Sequence, residues 1–288
     1  MLGNIFRLMR PHQWVKNGFL FTGLVFGHGW QEPSLVAAVL FAFVAFCLAS
    51  SSVYVLNDLF DREQDRNHPT KRLRPIASGA VSLPQAWLLT GGLAAVALWL
   101  AWLANPPVAG YVLAYLVLNI AYTLKLKQVV LLDIFCISAG FMLRILAGTD
   151  GVDIPPSNWL LFCGMWATLF LGFIKRRAEI IALHGDGSEH RKVLGEYSPA
   201  LLDKLIGITC TGMILSYSLY AMDPDVRRIH DTDNLIFTVP LVIYACFRYL
   251  YLLHQQDSGG DPSHDLLHDR HIVVVGLFWL VLTVALVA

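Results

Sequence analysis

Asn57 and the acids Asp58, Asp61 and Asp65 recur every three or four residues, directly after a long apolar run. On a helix that spacing places them on one face. Five bases interleave or follow: Arg62, Arg66, Lys71, Arg72 and Arg74. Carboxylates at the mouth of a membrane helix, with cations beside them, have the make-up needed to hold Mg²⁺ together with a diphosphate. Mg²⁺ takes oxygen ligands, commonly one or two carboxylates completed by phosphate oxygens and water. Asp58, Asp61 and Asp65 are the candidate carboxylates, and Asn57 offers a neutral oxygen or a supporting hydrogen bond. The competing reading is a solvated helix end whose acids and bases pair locally. Four acid or amide groups in register, followed by Lys71-Arg72-Leu73-Arg74-Pro75, favour a site.

The elements that position these groups are read from hydropathy. Apolar residues make up 56% of the 288 residues and charged residues 15%, with a mean hydropathy of +0.56. Runs this long and uncharged predict an all-α polytopic membrane protein, one integral membrane domain over 1–288. Nine spans are expected, near 17–31, 35–56, 84–104, 108–124, 129–148, 158–174, 202–221, 235–253 and 272–287. No small-residue cleavage site follows the first apolar run, so no cleavable signal peptide is expected. With nine spans the connections alternate between two sides. One side carries Arg7, Arg10, Lys16, Arg62, Arg66, Lys71, Arg72, Arg74, Lys125, Lys127, Lys175, Arg176, Arg177, Arg191 and Lys192; the other carries only Arg227 and Arg228 among acids. The positive-inside rule puts the first side, with the N-terminus, in the cytoplasm of a bacterial inner membrane, and the C-terminus outside. The five cysteines stand singly in apolar runs and read as core fillers.

Asn57-Asp58-x-x-Asp61-x-x-x-Asp65, then His68-Pro69-x-Lys71-x-x-Arg74-Pro75-Ile76-x-x-Gly79, resembles the first aspartate-rich motif of the UbiA-type intramembrane prenyltransferase superfamily. The resemblance implies a bundle of nine transmembrane helices with a cytoplasmic active-site cap, where Mg²⁺ binds a diphosphate. Most of that superfamily carries a second aspartate-rich motif at the end of the sixth span. This chain has Gly172-Phe-Ile-Lys175-Arg176-Arg177-Ala-Glu179 there. Cations bind phosphate oxygens directly rather than through a metal. The departure matches the decaprenyl-phosphate phosphoribosyltransferase branch, and so do further pieces from residue 10 to 270. These are Arg10-Pro11-x-Gln13-Trp14-x-Lys16-Asn17, Tyr122-x-x-x-Leu126-Lys127, Leu132-Asp133, Arg144-x-x-Ala147-Gly148, Glu196-Tyr197, and a tail from Gly260 to Asp269-Arg270.

That branch implies transfer of 5-phosphoribose from phosphoribosyl pyrophosphate (PRPP) to a polyprenyl phosphate, with release of diphosphate. The site residues implied are Asp58, Asp61 and Lys16 for catalysis, with Asp58 and Asp61 the pair carried forward as metal ligands. Asn17, Asn57, Asp65, Lys71, Arg74, Tyr122, Lys127, Asp133, Lys175 and Arg176 are implied for substrate binding. The expected cofactor is Mg²⁺. The expected partners are PRPP, the polyprenyl phosphate lipid and the bilayer, with a homo-oligomer and no nucleic acid. Asp133, an acid near the start of the fifth span, has three open roles: a ribose hydroxyl, a metal-bound water or a neighbouring base. Arg144 reads as snorkelling or in a structural ion pair. His264, His268 and His271 stand at helical spacing but read as a solvated loop, and Gly187-Ser188-Glu189-His190 as a turn. A prenyltransferase using a prenyl diphosphate donor and an aromatic or lipid acceptor is the alternative enzyme, disfavoured by Lys175-Arg176-Arg177. A transporter is disfavoured because the charges collect at one face rather than at mid-bilayer.

Overall fold

A segment inside hydrocarbon must pair its own backbone groups, and the long apolar runs do so as helices. The computed structural model describes residues 2–27, 29–183, 195–255 and 269–287. In chain order it contains α1 (Leu2–Met9), a 3-10 helix (Pro11–Phe21), α2 (Thr22–Phe26), α3 (Pro33–Phe60), α4 (Arg62–Asn67), α5 (Leu83–Ala104) and α6 (Pro106–Leu124). Then come α7 (Leu132–Ala147), α8 (Asn158–Leu183), α9 (Pro199–Met222), α10 (Pro224–His230), α11 (Val239–Gln255) and α12 (Arg270–Val287). No strand occurs among the described residues.

The starts follow from local chemistry. Proline stands in the first turn of α3, α5, α6, α9 and α10, where a missing N–H costs nothing. Side-chain caps satisfy the freed amides of the same turn. Gln85 Oε1 accepts from Ser82 N before α5 (3.1 Å), Ser198 Oγ from Leu201 N (3.2 Å), Asp223 Oδ1 from Asp225 N (2.8 Å), and Asp269 Oδ1 from Ile272 N (3.0 Å). Asp269, from the tail motif, also accepts from Arg248 Nη2 at 2.8 Å. That guanidinium holds the carboxyl below its usual range.

Eight helices among the described residues are long and apolar enough to cross a bilayer. The expected span near 17–31 differs from the others. It is an 11-residue 3-10 helix followed by the five-residue α2, which ends at Gly27. The reason is close backbone packing at glycine. A Cβ on Gly148 would lie 1.9 Å from Leu20 O, and one on Gly23 would lie 2.2 Å from Gly148 O. The segment is therefore shaped by the end of α7 as much as by its own propensity.

The chain divides into two compact units, Met1–Leu126 with Gly140–Pro156, and Lys127–Ala139 with Ser157–Ala288. In the first, α3 is the spine. Ala42, Ala45 and Ala49 on α3, with Ala97 and Ala101 on α5, are fully buried. Small residues let helix backbones approach where lipid offers no hydrophobic drive to associate. Phe46, Val108, Val112 and Tyr115 complete that core. The second unit packs Ile134, Phe170, Phe173, Ile174, Leu202, Ile206 and Tyr249. Large apolar side chains such as Leu88, Trp99, Phe247 and Val281 point outward, as the bilayer requires.

Gly148→Ala is expected to lower stability by about 1–3 kcal/mol or more, since it forces a methyl into backbone. Gly110→Ala, where nothing lies within 4 Å, should be neutral or stabilising. Thermal unfolding of the two variants in one detergent checks the contrast, and equal melting temperatures would contradict it.

Candidate active site

The aspartate-rich motif sits where α3 ends. Asn57 and Asp58 occupy the last turn of the 28-residue α3, Asp61 is the residue at the break, and Asp65 lies in α4. The predicted single helical face is thus interrupted at Asp61, yet Asp58 and Asp65 still converge. Arg74 Nη1 donates to Asp58 Oδ1 at 3.1 Å and to Asp65 Oδ2 at 2.7 Å. Both acids are buried, at 3% and 4% exposure, so these charges must be paired. Arg74 reaches them because the 3-10 turn Lys71–Leu73 folds the loop back, with an extended residue before Pro75. Arg66 Nε secures the same loop by donating to Ala77 O at 3.2 Å. Lys71 stays exposed.

A second guanidinium, Arg10, donates Nη2 to the same Asp58 Oδ1 at 2.6 Å and lies over the Tyr54 ring, 5.1 Å from its centroid. Asn57 Oδ1 accepts from the Thr123 hydroxyl on α6. These donors fit a hard divalent cation in kind: carboxylate oxygens from two buried acids already point at one positive nitrogen, with Asp61 one turn away. Among the described residues, no three His, Cys, Asp or Glu side chains form a preformed metal cluster.

Deeper along α3 further polar side chains meet one another. Asn17 is fully buried, donating to Cys47 Sγ (3.2 Å) and accepting from Arg144 Nε (2.7 Å). Arg144, expected to snorkel or pair with an acid, does neither among the described residues. It is 5% exposed and donates to Asn17 Oδ1, Gly140 O (2.7 Å) and Tyr115 Oη (3.0 Å), against the rings of Phe46, Tyr115 and Phe141. Lys16 and Tyr122 are half-buried.

In the second unit Asp133 is fully buried and meets a neighbouring base, the third of its open roles. Asp133 Oδ2 accepts from Arg176 Nε at 2.7 Å, and Oδ1 from Tyr197 Oη at 2.7 Å. Arg176 also pairs with Glu179. Tyr197 Oη accepts from Leu131 N at 2.7 Å, which fixes a leucine in the left-handed region (φ 67°) just before α7. Burial, with the hydrogen bond to Asp133, pushes the Tyr197 phenol above its usual range. Arg177 donates to Asp203 Oδ1 (2.6 Å) and Leu253 O (3.3 Å), tying α8 to α9 and α11. The basic trio therefore divides. Lys175 is exposed, Lys127 half-buried, and the two arginines are held inside. Arg10, Thr123 and Tyr197 were not among the predicted site residues; Arg10 and Tyr197 did stand in the family-like pieces. Gly187–His190, His264 and His268 lie outside the described residues, and His271 Nδ1 meets Tyr244 Oη at 3.1 Å.

Buried acids and guanidiniums at the end of a membrane helix, within an all-helical apolar bundle, define an integral membrane protein with a polar site at a helix mouth. The chain belongs to the UbiA prenyltransferase family, matched over residues 18–269. It is 34% identical over 295 residues to decaprenyl-phosphate phosphoribosyltransferase of Mycolicibacterium smegmatis, an alignment covering 97% of this chain and 91% of that one. It is 31% identical to the enzyme of the same name from Mycobacterium tuberculosis, covering 100% and 95%. The fold matches a UbiA homolog from Archaeoglobus fulgidus bound to GPP and Mg²⁺, with a TM-score of 0.72 at 18% identity, covering 98% and 97% of the two chains.

Tyr197→Phe leaves Asp133 Oδ1 and Leu131 N–H each short of a partner, an expected loss of about 1–3 kcal/mol. The phenol's folded pKa lies above its unfolded value. Its contribution is therefore complete below about pH 10 and lost as pH rises further. Unfolding followed from pH 8 upward should show a shallower alkaline decline in Tyr197→Phe than in wild type. An identical decline would remove the linkage.

Proposed function

We propose that this protein transfers 5-phosphoribose from PRPP to a polyprenyl phosphate, releasing diphosphate at the cytoplasmic membrane face. The observation that carries the reading is the near full-length similarity to enzymes of that name in a chain with Lys175-Arg176-Arg177 where a second acidic motif is otherwise expected.

We assign Asp58 and Asp61 to Mg²⁺, with Asn57 and Asp65 supporting them. A divalent cation held there supplies charge neutralisation for a departing diphosphate. Lys16, Lys71 and Arg74 in the first unit, and Lys127 and Lys175 in the second, are assigned to phosphate oxygens, and Tyr122 to the substrate. Asn17, Asp133 and Arg176 support the site by positioning: each is buried, with its polar atoms committed to neighbours. The acceptor phosphate is already anionic at neutral pH, so no general base is assigned. Its oxygen forms a bond to C1 of the ribose while the C1–O bond to diphosphate breaks and diphosphate leaves with the electron pair. Attack opposite the leaving group turns an α-linked donor into a β-linked lipid product. The acceptor's isoprenoid chain is held by apolar helix surface in the bilayer.

The N-terminal segment is assigned as a ninth crossing despite its broken helix. Without it, Arg7, Arg10 and Lys16 would stand on the side opposite the basic loop that follows α3. Nine crossings, with the basic loops inside, leave the N-terminus in the cytoplasm and the C-terminus outside.

Purified protein given Mg²⁺, ribose-labelled PRPP and polyprenyl phosphate should move label into a β-linked lipid. A parallel reaction with prenyl diphosphate and an aromatic acceptor should give no prenyl product. Prenyl transfer without ribosyl transfer would select the alternative enzyme. Asp58→Asn and Asp61→Asn should each lower activity by more than about 100-fold with folding retained; full activity in both would remove the metal assignment. Alkaline phosphatase fused after Ala288 should be active and green fluorescent protein at the same place dark, and the reverse pattern would remove the ninth crossing.

A further inference from the structure

Asp58 Oδ1 accepts from two cations at once, Arg10 Nη2 at 2.6 Å and Arg74 Nη1 at 3.1 Å. The two arginines are not equivalent. Arg74 also holds Asp65 at 2.7 Å, whereas Arg10 has Asp58 as its one carboxylate among the described residues. The Arg10 backbone is left-handed (φ 49°), a conformation L residues seldom adopt. It is pinned on both sides. Ser51 Oγ donates to Met9 O at 2.9 Å and accepts from Trp14 Nε1 at 3.0 Å, and Gln13 N donates to Arg10 O at 2.9 Å. Only the side chain is left to move, and the Tyr54 ring gives the guanidinium a second favourable surface.

With Arg10 and Arg74 both donating to it, Asp58 Oδ1 has no lone pair left for Mg²⁺; with one arginine gone it has one. We propose that Arg10 is an exchangeable partner of Asp58. Metal and Arg10 alternate on Asp58 Oδ1, and the displaced guanidinium binds a phosphate oxygen of the anionic donor. Arg74, anchored by Asp65, stays. The inference rests on the assignment of Asp58 to the metal. It adds that Arg10 lowers affinity for bare metal while raising affinity for the phosphorylated donor. A purely structural arginine would change both in the same direction or neither.

The test uses the full chain in nanodiscs, with Mn²⁺ binding read by electron paramagnetic resonance without substrate, and KM for PRPP measured separately. Arg10→Gln should bind Mn²⁺ about tenfold tighter and show a KM for PRPP about tenfold higher. Arg10→Lys, which keeps the charge, should shift both in the same opposed directions by about threefold, and it serves if melting curves show Arg10→Gln unfolded. Mn²⁺ affinity unchanged or weakened, or an unchanged KM, overturns the proposal. Undiminished Mn²⁺ binding by Asp58→Asn is a separate result: it removes the metal assignment itself.

Discussion

A carboxylate buried at the end of a membrane helix must be paired, and Asp58 is paired twice. That requirement organises much of the first unit. It draws the 68–78 loop back over the helix end through Arg74, and it fixes the start of the 3-10 helix through Arg10. The Ser51 contacts with Met9 and Trp14, two turns back along α3, hold that second connection in register. The polar motif is therefore a junction of three chain segments. Its charge must be compensated whether or not a ligand is present.

The same physics gives the second unit its supports. Asp133 and Arg176 are both buried in apolar helices, and removing either takes from the other a charged partner at 2.7 Å. Tyr197 adds a neutral donor, and through Leu131 it converts that ion pair into control of where α7 begins. Arg144 is the contrasting case, a buried cation stabilised by an amide oxygen, a carbonyl, a phenol and ring faces rather than by an acid. With no acid paired to it among the described residues, its charge is spread over dipoles and quadrupoles, which ties Asn17 to α6 and α7.

Hydropathy made the helices legible because each apolar run must pair its own backbone. Pro and Ser, Gln or Asp at their starts explain why most boundaries were close. The N-terminal span is not one continuous helix, and its close approaches at Gly23 and Gly148 leave no mark in the sequence beyond two ordinary small residues. In the motif, spacing placed Asp58 and Asp65 on one face, and Arg74 does join them, but spacing did not show the break at Asp61 between them. Which cations turn inward could not be read from the sequence. Lys71, Arg72 and Arg74 are alike in composition, and only the turn before Pro75 selects Arg74. Arg176 and Arg177 have the same ambiguity: their partners Asp133, Asp203 and Leu253 come from distant helices, and no local pattern announces them.

Cations are placed differently in the segment of α8 where a second acidic motif is otherwise expected. A donor whose diphosphate is held through metal on both sides needs two acidic clusters, each able to shed its counter-cations when metal arrives. In this chain the corresponding segment of α8 spends Arg176 and Arg177 on fixed carboxylate partners and leaves Lys175 at the surface. A fixed Arg–Asp pair has little reason to open for a metal, because burial makes separation costly. A surface lysine can meet a phosphate oxygen without such a separation. Asp58 differs in kind: two arginines share one of its oxygens, and one of them, Arg74, has a second carboxylate to keep. An anionic acceptor, unlike an aromatic one, also gains from cations that no metal has to supply.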